Sequence, residues 1–381
     1  MLGKLNIANT VLVGMSQAVS VRPDRCGRMC HKNYACNLCE TNCPTQAIKV
    51  GQVGTKITVE WDKCSYCGIC VNICPTGVYG IREMSYASFL DAYLLKLSDK
   101  GVLKLSCKEI SNQEDKTPKP LALAQKAPDV DKAALVECLG IFGLPDILYL
   151  YTNGANIVNF EFPKCEKCPN RYGRAIFEEE LDELEKLTEY FENLKGTQIT
   201  RAEDGIKIVF PKQFERKVIS KKEEKAAKNA EPVTRRGMFD LMRKNAMDTA
   251  LRSATLLTPQ EIPSRTLLSD TKEVPAKRRI FLDSLINLGK LLKDTIPTGP
   301  YFYSVEIDNG QCAFCKVCTR FCSTGALSVS DDGKQILFTA AHCVSCGMCK
   351  ISCYRQYIKQ NKTVPLRDLF SAITICSKSE A

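Results

Sequence analysis

The chain has 381 residues, 44% hydrophobic and 25% charged, with a formal net charge of +10 and 22 cysteines, a length and composition that suit two or three soluble globular domains. No apolar stretch approaches the length of a membrane-spanning helix, and basic residues nowhere interleave with aromatics as in a nucleic-acid-binding patch. Residues 5–20 are only mildly apolar, interrupted by Asn6, Asn9, Thr10 and Gln17, so no secretory leader is expected and the expected compartment is a reducing, anaerobic cytoplasm.

The cysteines fall into runs. Near the N-terminus stand Cys36-x2-Cys39-x3-Cys43-Pro44 and Cys64-x2-Cys67-x2-Cys70-x3-Cys74-Pro75; near the C-terminus stand Cys312/Cys315/Cys318/Cys322 and Cys343/Cys346/Cys349/Cys353 with the same spacing as the second run. Cys43 precedes Cys64 by 21 residues and Cys322 precedes Cys343 by 21, so the paired runs are an internal repeat. Between the runs, Ala47–Val50 with Ile57–Val59, and Ala326–Val329 with Gln335–Phe338, read as short strand pairs around a turn. Three thiolates spaced this closely wrap three corners of one iron–sulfur cube, and the fourth is turned toward a neighbouring one. A zinc site wants two separated cysteine pairs, and disulfides suit a small secreted scaffold; neither fits four cysteines within eleven residues.

Over roughly residues 24–80 and 305–358 the chain resembles the bacterial two-cluster ferredoxin family. The resemblance implies crossed ligation: Cys64, Cys67 and Cys70 share a [4Fe-4S] cluster with Cys43, and Cys36 and Cys39 share one with Cys74. Likewise Cys312, Cys315 and Cys318 go with Cys353, and Cys343, Cys346 and Cys349 with Cys322. Asn33 stands where the first run's leading cysteine falls, which leaves Cys26 and Cys30 as rival first ligands. Ser323 and Tyr354 replace the family's proline, removing a rigid turn but no ligand. Each four-thiolate cube carries about −2 when oxidised, so four or five filled sites nearly cancel the formal charge. The basic residues then balance the clusters and dock acidic redox partners.

The middle of the chain is a different unit. The pattern predicts a helix over Tyr86–Ser98, a strand Val102–Ser106 closing at Cys107, and a strand Ala134–Glu137 closing at Cys138. A helix Leu139–Tyr151, stopped at Asn153-Gly154, and a strand Asn156–Phe162 leading to Cys165-x2-Cys168-Pro169 follow. A right-handed parallel unit ends these strands at one sheet edge, where Cys107, Cys138, Cys165 and Cys168 would converge as a fifth metal site. Alone, Cys107 or Cys138 would be an ordinary buried side chain; four cysteines at strand ends, two of them in C-x2-C spacing, argue for metal. Cys138-Leu139-Gly140, Gly154-Ala155-Asn156-Ile157-Val158 and the Cys165/Cys168 pair are similar to the small iron–sulfur subunit associated with methyl-viologen-reducing hydrogenases. That resemblance implies a two- or four-iron cluster, and zinc stays open beside it.

Phe177, Leu181, Leu184, Leu187, Phe191 and Leu194 give an amphipathic helix, with Glu178, Glu179, Glu180, Asp182, Glu183 and Glu185 on a solvated face. Residues 216–236 read as a linker, and Arg235-Arg236 with Phe239 lacks the apolar segment of an export signal. Lys277–Lys293 forms a basic amphipathic helix that packs on its own chain or a partner subunit, with peripheral membrane contact as the other option. His31 and His342 border Cys30 and Cys343 and are expected outside the ligand sets. There is no phosphate loop, and Gly140-x2-Gly143 lacks dinucleotide spacing.

The expected architecture is α+β and multidomain. Two ferredoxin-like dicluster modules, 1–84 and 301–381, flank a small α/β parallel-sheet domain, 85–200, with linker and amphipathic helices over 201–300. The expected function is an electron-transfer protein or subunit relaying single electrons between donor and acceptor subunits of a redox enzyme, without nucleic acid. The alternative is an oxidoreductase whose central cysteine site, or a flavin pocket without a recognisable motif, reduces a small molecule or disulfide.

Overall fold

The computed structural model describes residues 19–53, 55–81, 85–107, 133–162, 165–215 and 272–378. The linker read at 216–236 and the twin arginines lie outside the described residues.

From the N-terminus, the first unit contains β1 (Val19–Val21), α1 (Gly27–Cys30), α2 (Leu38–Thr41), β2 (Ile48–Val50), β3 (Ile57–Val59), α3 (Ile69–Ile73) and β4 (Tyr79–Ile81). Strand β1 pairs antiparallel with β4 and β2 with β3. In β2, Ile48 and Val50 are buried and Lys49 is exposed, the period-2 pattern of a half-buried strand. The helices are single turns, too short to stand alone, so tertiary contacts hold the cysteine loops between them.

The sheet domain starts with α4 (Tyr86–Leu94), capped by Ser85, whose hydroxyl accepts from the Ser88 N–H. Then come β5 (Val102–Cys107), β6 (Ala134–Val136), α5 (Leu144–Thr152), β7 (Ile157–Glu161), α6 (Gly173–Leu187), β8 (Gln198–Arg201) and β9 (Gly205–Val209). The sheet order is β6-β5-β7-β9-β8. Strands β5, β6 and β7 are parallel, as expected, but β9 and β8 join antiparallel. The sheet is therefore mixed and continues to Val209. Strand β8 carried no readable signal because it is an edge strand whose four residues are exposed or half-buried, without apolar alternation.

The helix expected from Leu139 begins at Leu144 instead. Residues Leu139–Ile141 form a 3-10 turn in which the Cys138 sulfur accepts from the Gly140 N–H at 3.4 Å. Pro145 in the first turn and the Asp146 carboxylate accepting from the Gly143 N–H at 2.8 Å then start α5. Helix α6 buries Ile176, Phe177, Leu181, Leu184 and Leu187, and Phe191 and Leu194 fall just beyond it. Most of its carboxylates do lie on a solvated face, Asp182 and Glu185 both pairing with Arg201. Glu180 does not: it is half-buried and accepts from the Leu144 N–H at 2.9 Å and from the Tyr301 hydroxyl.

Helix α7 (Ala276–Leu288) packs against α5 and buries Ile280, Phe281, Leu285 and Leu288. Its apolar face is thus covered by the chain itself. Buried Arg278 donates to the carbonyls of Ala340, Ala341 and Tyr301, which fastens α7 to the last unit. That unit contains β10 (Thr295–Pro297), β11 (Val305–Ile307), α8 (Val317–Phe321), β12 (Leu327–Val329), β13 (Gln335–Thr339), α9 (Met348–Ser352), β14 (Ile358–Gln360), β15 (Thr363–Pro365) and β16 (Ala372–Ser377). The β11–β14 and β12–β13 pairings repeat β1–β4 and β2–β3. Additions are the β10–β15 pair and β16, which lies beside β13. Among the described residues, no helix is long and apolar enough to cross a membrane.

Candidate metal centres

The cysteine loops share a backbone signature. In three of them a left-handed residue precedes the second cysteine and another follows it: Tyr66 and Gly68, Phe314 and Lys316, Ser345 and Gly347, with φ between 50° and 75°. Alternating right- and left-handed residues turn successive N–H groups to one side, forming an anion-binding concavity. The donors reach sulfur: the N–H groups of Tyr66 and Ile69 partly offset the rise in pKa that burial gives Cys64 and Cys67, and those of Ser345 and Met348 do the same for Cys343 and Cys346. The first run, Cys36/Cys39, lacks this pair of left-handed residues, in keeping with its missing leading cysteine.

The fourth cysteines also repeat one another. Gln46, Gly77, Gly325 and Gln356, each three residues beyond its cysteine, are all left-handed. Ser323 and Tyr354 therefore permit the turn that Pro44 and Pro75 make in the other two loops. The Cys43 sulfur accepts from the Ala47 N–H at 3.3 Å, Cys74 from the Val78 N–H at 3.3 Å, and Cys322 from the Leu327 N–H at 3.4 Å.

The fold gathers these sulfurs in interleaved sets. Burial pushes the Cys67 thiol up to about 11, with Cys64 and Cys43 adding to it, and pushes Cys70 well up, with Cys67, Cys64 and Cys43 contributing. These four line one small pocket together with Ile48 and Trp61. Burial raises Cys39 to about 11, with Cys74, Cys26 and Cys36 as the neighbouring thiols. In the last unit, burial raises Cys318 to about 12, beside Cys312, Cys315 and Cys353, and Cys343 to about 12, beside Cys346 and Cys322. Cys349 is pushed up by burial and by Cys346, Cys343 and Cys322. Dry thiols crowded with N–H donors form a donor set matched to a group that binds thiolates.

Of the rivals Cys26 and Cys30, Cys26 is the one beside Cys74 and Cys36. The Cys30 thiol donates to the Asp24 carbonyl at 3.5 Å and is raised to about 11 by burial, then by Cys26 and Asp24.

At the sheet edge, Cys107 closes β5 and Cys138 follows β6, while Cys165 and Cys168 flank a 3-10 turn after β7. The hydrogen bond between the Cys138 and Cys107 thiols holds the Cys107 pKa below the usual thiol range and pushes that of Cys138 above it. Burial raises Cys165 and Cys168, and Cys107 adds to both. The Cys138 sulfur sits close to backbone, since a Cβ on Gly173 would stand 2.3 Å from it. The four sulfurs are neighbours, yet among the described residues no three His, Cys, Asp or Glu side chains close on a single point.

Cys376 was not foreseen. It is buried on β16 and hydrogen-bonds Cys312, and its position outside every run gave no sequence signal. Tyr34 was also missed: its hydroxyl donates to the Cys346 carbonyl at 2.6 Å. His31 packs edge-on against Phe321 with ring centroids 5.3 Å apart and accepts from the Asn33 N–H through Nδ1. The pKa of His342 is lowered by burial and then by Arg278.

Residues 30–78 match the 4Fe-4S dicluster domain family. The chain is 40% identical over 52 residues to an uncharacterized ferredoxin of Methanocaldococcus jannaschii, covering 13% of this chain and 81% of that protein.

Proposed function

From the premise that the chain belongs to the 4Fe-4S dicluster ferredoxins, we propose that it relays single electrons through four [4Fe-4S] clusters and a fifth metal group in the sheet domain. The observation that carries this reading is the interleaving of sulfurs from paired runs: Cys43 lies with Cys64, Cys67 and Cys70, and Cys322 with Cys343, Cys346 and Cys349. The C-terminal pair repeats the strand pairing and loop backbone of the N-terminal pair, which supports a second dicluster module there.

We assign Cys26, Cys36, Cys39 and Cys74 to one set. The family match begins at Cys30, but Cys26 is the thiol that faces the others. The remaining sets are Cys43/Cys64/Cys67/Cys70, Cys312/Cys315/Cys318/Cys353 and Cys322/Cys343/Cys346/Cys349. Cys107, Cys138, Cys165 and Cys168 hold the fifth group. A two- or four-iron cluster, or a single zinc ion, suits a four-cysteine set with one C-x2-C pair.

Bound iron–sulfur clusters supply one-electron chemistry without a substrate bond being made or broken. The protein's part is to present thiolates, aim N–H donors at sulfur and exclude water with residues such as Ile48, Ile69 and Val71, all buried. Redox-enzyme subunits are the donor and acceptor. Anaerobically purified protein is expected to contain about 16 to 20 irons with matching sulfide, four per cube plus an optional fifth cluster. Fewer than about 12 after full reconstitution would overturn the proposal.

A further inference from the structure

Thiols of different sets neighbour one another in a definite sequence. Cys138, in the sheet site, has Cys67 as a neighbour outside its set. Cys70, in the same set as Cys67, has Cys39. Cys346 has Cys36, and Cys349 has Cys318. We propose that the five cysteine sets form one unbranched row, in which the sheet-edge site and the Cys312/Cys315/Cys318/Cys353 set are the two ends. From the sheet edge the order runs through the Cys67 set, the Cys39 set and the Cys346 set.

Packing fixes the joints on both sides of the N-terminal unit. At the sheet domain, the Asn72 side chain donates to the carbonyls of Gly140 and Phe142, both at 3.1 Å, and the Ser65 hydroxyl donates to Asn170 at 2.6 Å. Gly68, left-handed with φ 75°, has Ile141 against it; a Cβ there would sit 2.4 Å from that side chain. This closeness brings Cys67 to Cys138. At the other joint, Tyr34 reaches across 312 positions of sequence to the Cys346 carbonyl, and its ring and Met348 close over Gly27, where a Cβ would stand about 2.5 Å from the ring. Within the N-terminal unit, Tyr79 lies beside Cys39, Cys70 and Cys74, filling the space between its two sets.

The two ends differ in exposure. Cys315 is the one exposed cysteine of the 22, so the C-terminal end opens to solvent. At the sheet edge, Glu166 and Lys167 are exposed between half-buried Cys165 and Cys168. The inner sets are walled by the two joints.

This order rests on the proposed cluster relay, and the test separates the two. Fully reduced holoprotein is compared by electron paramagnetic resonance with two double variants, after iron content shows that each has lost about four irons. Replacing Cys346 and Cys349 by alanine is expected to isolate the Cys312 end set magnetically, sharpening its signal into an uncoupled one. Replacing Cys36 and Cys39 by alanine is expected to leave the end set broadened by its neighbour, as in the parent. An end set that stays coupled in the first variant, or becomes uncoupled in the second, overturns the order while leaving the relay standing. A parent protein without the irons overturns the relay itself.

Discussion

The Cys138 thiol hydrogen-bonds Cys107 across two adjacent parallel strands. Cys107 also accepts from the Leu139 N–H at 3.3 Å, so two donors favour its thiolate, while Cys138 keeps the proton. A metal entering the sheet edge must displace that proton. Uptake at this site should therefore strengthen with rising pH, by roughly tenfold per unit for one displaced proton. Chelator competition at two pH values measures it. If the four cysteines act as one site, Cys138→Ser abolishes this uptake as fully as Cys165→Ser; unchanged uptake in the Cys138 variant would make Cys138 an ordinary core residue.

Crossed ligation is tested by single variants in the N-terminal unit. Cys43→Ala is expected to remove the cluster assigned to Cys64, Cys67 and Cys70 and to spare the one assigned to Cys36 and Cys39. Cys26→Ser is expected to cost about four irons, and Cys30→Ser none. Iron analysis with spectroscopy of the reduced protein reads both. Iron loss in the Cys30 variant with none in the Cys26 variant reverses the assignment of the first ligand.

The cysteine runs and the parallel core of the sheet were legible in the sequence because both depend on local spacing. Cys64 to Cys74 and the alternation in β2 need no knowledge of the rest of the chain. What could not be read was set by distant contacts. Asn33 left Cys26 and Cys30 open, and only the placement of α1 beside Cys74 separates them. Glu180 sits in a run of carboxylates on α6, and nothing in the run marks it as the one that meets Tyr301 and the start of α5. Cys376 pairs with Cys312 through β16 lying beside β13, a strand added outside the repeat. Long-range tertiary packing decides each of these.

The ion pair between Lys277 and Asp146, 3.0 Å apart, joins a half-buried lysine to a fully buried carboxylate. Lys277 also donates to Asn72, so it joins α7, the start of α5 and the N-terminal unit. Removing one partner of a buried pair leaves an uncompensated charge and typically costs about 3–5 kcal/mol. Lys277→Met is expected to lower the thermal midpoint strongly, and Asp146→Asn in the same chain to restore much of it. The sign with pH follows from Asp146, whose pKa burial raises while Lys277 opposes. A carboxyl raised in the folded state gives stability that is lost as pH rises through its folded value. Without Lys277 the folded value rises further, so the variant's deficit should be larger at the higher of two pH values spanning the range above an ordinary carboxylate. An equal deficit at both pH values would show that the pair's charge is not what matters.

Cys376 tests whether a thiol outside every run tunes the end set. It is pushed up to about 12, by burial first and then by the bond to Cys312, so it stays a thiol and can donate to Cys312. Hydrogen bonds to cluster sulfurs favour the more negative, reduced form and raise the potential. Cys376→Ala removes the donor and should lower the potential of the end set by an amount on the order of tens of mV, since about 1 kcal/mol of hydrogen bonding is shared unequally between two oxidation states. Cys376→Ser keeps a donor and should restore most of the shift. A redox titration followed by electron paramagnetic resonance reads the end set against the other three, whose potentials should not move. An unchanged potential in the alanine variant would leave Cys376 a packing residue, and loss of iron there would make it a ligand.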